Sequence, residues 1–202
     1  MGMGNSIGQV VVLVVNTLGG LLVLALLSRF LLQASHADFY NPVSQALAKL
    51  TAPILNPFRK IIPAWRNFNI AALIVSLVIS TLASAIMIYS AGYALPSLGD
   101  LISWSVLGLI SLTLNIYFWG LLISIVASWV APYSGNPALF LIQQLLEPIQ
   151  SRLRKIIPPM GGLDFSPIFI FLAIQVLEIM VVGTLRQGLG LGEQAAMFVI
   201  GI

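Results

Sequence analysis

Few groups in this chain could do chemistry. One carboxylate, Glu178, lies deep in an apolar run, with Gln175 about one helical turn before it. Arg29 lies late in another apolar run. There is one histidine, His36, and no cysteine. Most of the remaining positive charge sits in a pair that occurs twice, Arg59-Lys60 and Arg154-Lys155, with Arg152 beside the second. Without cysteine there are no disulfides, thiolate metal sites or cysteine nucleophiles, and a single histidine rules out a multi-histidine metal centre. His36 has no serine elbow, no HExxH and no acid pair at a workable spacing, so neither enzyme chemistry nor a cofactor is expected. Gly188, Gly190 and Gly192 follow no strand, cradle no phosphate and read as a flexible tail.

The elements that position these groups follow from composition. Of 202 residues, 59% are hydrophobic and 7% charged, against about 25% charged in an ordinary soluble domain. Mean hydropathy is +1.03. So little charge cannot cover a water-soluble particle of this size, so the chain reads as an integral membrane protein. The net charge of +3 is not a nucleic-acid signal, and no nucleic-acid partner is expected. A bilayer core about 30 Å thick needs roughly 20 apolar residues of helix. Four stretches qualify, at about 10–32, 70–93, 101–130 and 165–186.

Basic residues sort between the two sides. The first connection holds Lys49, Arg59, Lys60 and Arg66, and the third holds Arg152, Arg154 and Lys155. The N-terminus, the second connection and the tail together offer only Arg186. This split puts both long connections in the cytoplasm and both termini outside. The N-terminus has no basic n-region and its apolar run is too long for a cleaved signal. Met1-Gly2 with Ser6 matches a myristoylation pattern by letter only.

The chain also repeats itself at an offset of 95 residues. Asn41-Pro42 aligns with Asn136-Pro137, Pro53-Ile54 with Pro148-Ile149, and Arg59-Lys60-Ile61-Ile62-Pro63 with Arg154-Lys155-Ile156-Ile157-Pro158. Ten of the 23 positions from 41 to 63 are identical without a gap. The expected organisation is therefore repeat one over 1–95, repeat two over 96–188 and a tail over 189–202. Each repeat has two spans, so both copies enter the membrane in the same sense and the pseudo-symmetry axis runs along the membrane normal.

Inside each repeat, at about 41–62 and 136–157, lies a segment that should not span. Asn caps a helix start and Pro suits its first turn. Apolar residues then return at spacings of three and four: Val43, Ala46, Leu47, Leu50, Ile54, Phe58 in copy one, and Leu139, Ile142, Leu146, Ile149, Leu153 in copy two. Such a helix lies in the membrane interface. Pro53 and Pro148 should bend or break it. The Arg-Lys pairs then sit at headgroup level, where each is attracted to anionic lipid by about 1 kcal/mol. They either fix topology and depth or form a docking face for anionic lipid, a membrane-protein partner or a second copy.

Glu178 has two possible roles. At about 1.5 Å per residue, Asn16, Ser84 and Asn115 reach a depth similar to its own, roughly 20–25 Å from the cytoplasmic side. A carboxylate at depth is costly and faces the bundle interior or water. It is either protonated and hydrogen-bonded to amides between helices, or part of a weak cation or proton site with Asn16 and Asn115. Arg29 lies nearer the surface and is expected to snorkel there. The fourth-residue series Ala72, Ser76, Ser80, Ser84 and Gly120, Ser124, Ser128 would allow close helix packing.

The doubled pattern of NP, a further Pro and RKIIP, followed in copy two by Gly161-Gly162-Leu163-Asp164-Phe165-Ser166-Pro167, resembles the YggT family of bacterial membrane proteins in its two-repeat form. The one-repeat relatives, called YlmG, occur in bacteria and plastids. The likeness runs from Arg29 to about Glu178. Copy one departs from it at Trp65-Arg66-Asn67-Phe68-Asn69, and the copy-two counterpart of Arg29 is Ser124. The resemblance implies an inner-membrane protein without established catalysis. It also implies links to osmotic-stress tolerance and potassium balance in two-repeat members, and to cell division and to cytochrome or nucleoid organisation in plastids in one-repeat members. The expected fold is all-α, with four transmembrane helices as two parallel repeats of span, amphipathic interfacial helix and span.

Overall fold

The computed structural model describes residues 3–60, 62, 69–131, 134–157, 164 and 166–202, and every regular element among them is helical. The family-motif residues Pro63 and Pro158, Gly161 to Leu163, Phe165 and the 65–68 stretch lie outside the described residues. Eight α-helices run in order: α1 Met3–Ala34, α2 Pro42–Arg59, α3 Ile70–Ser90, α4 Leu98–Val130, α5 Pro137–Ile156, α6 Ser166–Leu177, α7 Gly183–Gly188 and α8 Glu193–Ala196. A π-helical turn, Glu178–Val182, joins α6 to α7. Among the described residues four stretches are long and apolar enough to cross a membrane: Ser6–Ala34, Ile70–Ser90, Leu98–Val130 and Ser166–Gly188. α4 starts three residues before the expected position because Ser97 caps it, accepting from the Asp100 amide at 3.1 Å.

Small residues decide how closely the spans approach. A Cβ on Gly8 of α1 would strike the Ser90 carbonyl of α3. On α3 the series Ala72, Ser76, Ser80 and Ser84 is completely buried, as expected of a packing stripe. Of the series Gly120, Ser124 and Ser128 on α4 only Gly120 is buried, and a Cβ there would lie 3.6 Å from Ile142 of α5.

The duplication is visible in the core. Leu26, Leu55, Ala72 and Val75 form a cluster joining α1, α2 and α3. Leu121, Leu146, Ile170 and Ile174 form its counterpart joining α4, α5 and α6. Leu26 and Leu121 are one repeat apart, as are Val75 and Ile170. A central cluster of Val23, Leu27, Leu31, Ala83, Met87, Leu109, Leu145 and Ile200 joins the two halves.

Two expectations need correction. Of the bend or break expected at Pro53 and Pro148, the break does not occur: α2 and α5 run through them, and α2 also accommodates Pro57. The glycine-rich end is not a loose tail. It turns back on the bundle, burying Leu191, Ala196, Val199 and Ile200 against α3 and α4. Trp104 Nε1 donates to the Leu189 carbonyl at 3.1 Å. The gain from burying four apolar side chains outweighs the conformational entropy lost in fixing the flexible glycines.

Candidate functional site

The two amphipathic helices begin alike. Asn41 Oδ1 accepts from the Val43 amide and Asn136 Oδ1 from the Ala138 amide, both at 2.9 Å, with Pro42 and Pro137 in the first turns. They then differ. Asn136 is exposed, whereas Asn41 is buried and its Nδ2 donates to the Pro137 carbonyl at 2.8 Å. The Gln144 side chain of α5 accepts from the Asp38 amide at 2.8 Å. The N-terminal parts of α2 and α5 are thus fastened into one platform, a join that the sequence pattern did not reveal.

The basic ends carry different burdens. Lys60, Arg152 and Lys155 are exposed. Arg154 is engaged: Nε meets Asp164 Oδ2 at 2.9 Å, Nη1 meets Glu147 Oε2 at 3.5 Å and Nη2 meets Gln150 Oε1 at 3.1 Å. Asp164 also caps α6, accepting from the Ser166 amide at 2.9 Å. Burial acts to raise the Asp164 carboxyl, but Ser166 and the Arg154 guanidinium outweigh it and hold it below the usual carboxylate range. Ser166 is buried, and Pro167 follows it in the first turn of α6. The Asp-x-Ser-Pro element is therefore a cap tied to the basic end of α5.

Arg29 reaches the amphipathic helix α2. Its Nη1 donates to the Ala48 carbonyl of α2 at 2.9 Å and to the Thr51 hydroxyl. Its guanidinium borders a cavity of about 500 Å³ between α1 and α2, lined also by Gln33, His36, Ser44 and Arg59.

Glu178 opens the π-helical turn, and Ser111 Oγ donates to its Oε1 at 2.7 Å. Asn115 does not reach Glu178; its Nδ2 bonds the Ser111 carbonyl at 3.1 Å, so it touches this group only through Ser111. Asn16 is exposed on α1 and makes no hydrogen bond to Glu178 among the described residues. Ser111, which sits one turn before Asn115, is the residue that sequence reasoning missed. Helical spacing placed it on the right face, but a hydroxyl in an apolar span is too common to stand out.

A duplicated all-helical membrane protein with two fastened basic amphipathic helices is the class these features define. The CCB3/YggT family model matches the chain twice, at residues 8–90 and 103–185, which are 95 residues apart at both ends. The chain belongs to that family. An uncharacterized protein of Pseudomonas aeruginosa is 39% identical over 186 residues, covering 92% of this chain and 94% of its own. The protein named uncharacterized protein YggT in Escherichia coli K12 is 35% identical over 166 residues, covering 81% of this chain and 84% of its own. A relative from Vibrio alginolyticus is 36% identical over 162 residues, 80% of this chain and 87% of its own. No solved structure matches.

Proposed function

We propose that this protein is a non-enzymatic scaffold or accessory factor of the bacterial inner membrane that supports envelope and osmotic homeostasis. Its working surface is the α2–α5 platform, which lies on the cytoplasmic side with both termini outside. The observation that carries this reading is the fastening of Asn41 to Pro137. It joins the starts of the two amphipathic helices, whose far ends expose Lys60, Arg152 and Lys155 for anionic lipid, a membrane-protein partner or a second copy. Replacing those three residues by Gln is the test, with Arg154 left in place because it holds Asp164. In a strain lacking the native gene, the triple variant should be made and inserted normally yet fail to restore growth at high osmolarity. Full restoration would refute the scaffold. A reporter fused to the N-terminus and found in the cytosol would refute the orientation.

A second reading is favoured by one observation, the π-helical turn that opens at Glu178, a distortion frequent at functional sites. Here the chain passes or modulates a cation such as potassium through a Glu178 site. Purified protein in liposomes should then lose cation uptake on Glu178→Gln. Equal uptake by wild type and variant would end this reading.

A further inference from the structure

We propose that the cavity between α1 and α2 is a phosphate-binding pocket that takes one anionic phospholipid headgroup, and that only copy one has kept it. The argument rests on a comparison within the chain. The copy-one cavity is lined by Arg29, Gln33, His36, Ser44 and Arg59 among others. At its equivalent place in copy two lies a second cavity, of about 270 Å³, lined by Ser128, Ala131, Leu139 and Gln143. Gln33 pairs with Ser128, His36 with Ala131 and Ser44 with Leu139, each 95 residues on. The two are the same pocket by descent, and their charge has diverged.

In copy two the charge is cancelled. Ser124 stands where copy one has Arg29. Arg154, the counterpart of Arg59, is held by Glu147 and Asp164. Copy one reverses both conditions. Ala52 stands where copy two has Glu147 and Asn69 where it has Asp164, so Arg59 has neither acid beside it. Asn69 keeps only the capping role, accepting from the Ala72 amide at 3.3 Å. All six acids of the chain lie among the described residues, and none pairs with Arg29 or Arg59. The nearest in sequence, Asp38, is turned to the Tyr40 amide at 2.8 Å. Two guanidinium side chains thus face one cavity, and each repels the other.

Such an arrangement is unfavourable until an anion enters. Guanidinium groups match phosphate oxygens in pairs. Arg29 uses only Nη1 on α2, which leaves Nε and Nη2 without a partner among the described residues. Ser44 lines the cavity too, and its buried hydroxyl has no hydrogen-bond partner. Leu32, Leu47 and Phe39 complete the lining with apolar surface. Arg29 is five residues from the end of α1, or about 8 Å at 1.5 Å per residue, which is headgroup depth. A lipid phosphate satisfies both halves of this wall; a free phosphate satisfies only the charged half.

The pocket rests on the scaffold reading only in taking this end of α2 to face the membrane. The test is lipid retention by the purified full chain in mild detergent, followed by native mass spectrometry. Separate arms contain phosphatidylglycerol, phosphatidylethanolamine and inorganic phosphate. Wild type should keep one phosphatidylglycerol and little phosphatidylethanolamine. Arg29→Gln and Arg59→Gln should each weaken retention about tenfold or more, as expected for a lost hydrogen bond between charged groups. Arg154→Gln should leave it unchanged, because Glu147 and Asp164 already hold that guanidinium and it lines neither cavity. Arg59 is exposed, so its variant still decides the matter should Arg29→Gln not fold. Unchanged retention in Arg59→Gln, or an equal loss in Arg154→Gln, would overturn the pocket. Phosphate binding without lipid binding would overturn the lipid.

Discussion

Arg154 and Asp164 meet at 2.9 Å, and through this pair the basic end of α5 is joined to the cap of α6. One carboxylate performs two tasks here, since Asp164 also accepts from the Ser166 amide. At the equivalent place in copy one, Asn69 can cap α3 but offers no charge. That difference, with Ala52 where copy two has Glu147, separates a tied arginine from one without an acid partner.

The acid behaviour of the pair follows from the direction of its shift. Burial opposes ionisation of Asp164, but Ser166 and Arg154 prevail and lower its carboxyl. A lowered folded value means the stabilisation is complete above the unfolded carboxyl value and disappears as pH falls through the folded one. The window lies below about pH 4. Thermal unfolding in detergent should show wild type losing stability there, and Asp164→Asn should have a shallower acid limb. At neutral pH the variant should lose about 0.2–1 kcal/mol, because the pair is part-exposed. An acid limb of unchanged steepness would remove Asp164 from the account.

The two caps should differ in cost although their sequences match. Asn136→Ala removes one capping bond, about 1 kcal/mol. Asn41→Ala removes the same bond and also the one to the Pro137 carbonyl, adding about 0.5–1.5 kcal/mol for a second lost hydrogen bond. Unfolding of the two variants side by side measures the difference. Equal losses would show that the α2–α5 fastening contributes nothing.

Much of this architecture can be read from the chain itself. Hydropathy marks the four spans, and the Asn-Pro pairs mark the starts of α2 and α5, because both signals are local. The misses are tertiary. The partners of Arg29, Thr51 and the Ala48 carbonyl, lie on a different helix. Where copy one has Thr51, copy two has the core residue Leu146, and no rule of periodicity couples that change to Arg29. Glu178 meets Ser111 rather than Asn115 because the helices cross at a rotation that depth counting cannot supply. The prolines failed to break their helices because a lost backbone bond can be offset by packing on both flanks.

Ser111 and Glu178 offer a test that separates structure from transport. Ser111→Ala should leave the Glu178 oxygen without its donor and cost about 1–3 kcal/mol. Glu178→Gln keeps an acceptor oxygen and should stay within about 1 kcal/mol of wild type. Melting of the two variants in detergent decides this. A Glu178→Gln loss larger than that of Ser111→Ala would mean that the carboxylate holds a partner beyond the serine.

The C-terminal segment is the part of the fold least visible in the sequence, and Gly108 is its receptor. A Cβ on Gly108 would strike the Ile200 carbonyl and lie 2.9 Å from Val199. Gly201 approaches the Gly108 carbonyl in turn, with φ at +100°, a conformation that side chains resist. Neither backbone can yield to the other, since one is a continuous transmembrane helix and the other is held by Leu191, Ala196 and Val199. Gly108→Val should therefore release the segment rather than distort α4. Limited proteolysis reads this directly: cleavage after Arg186 should be slow in wild type and fast in Gly108→Val. Gly120→Val makes the control. It lies in the same helix but faces α5, so it should destabilise the bundle without exposing Arg186. If Gly108→Val is no more cleavable than Gly120→Val, the segment is not seated on Gly108.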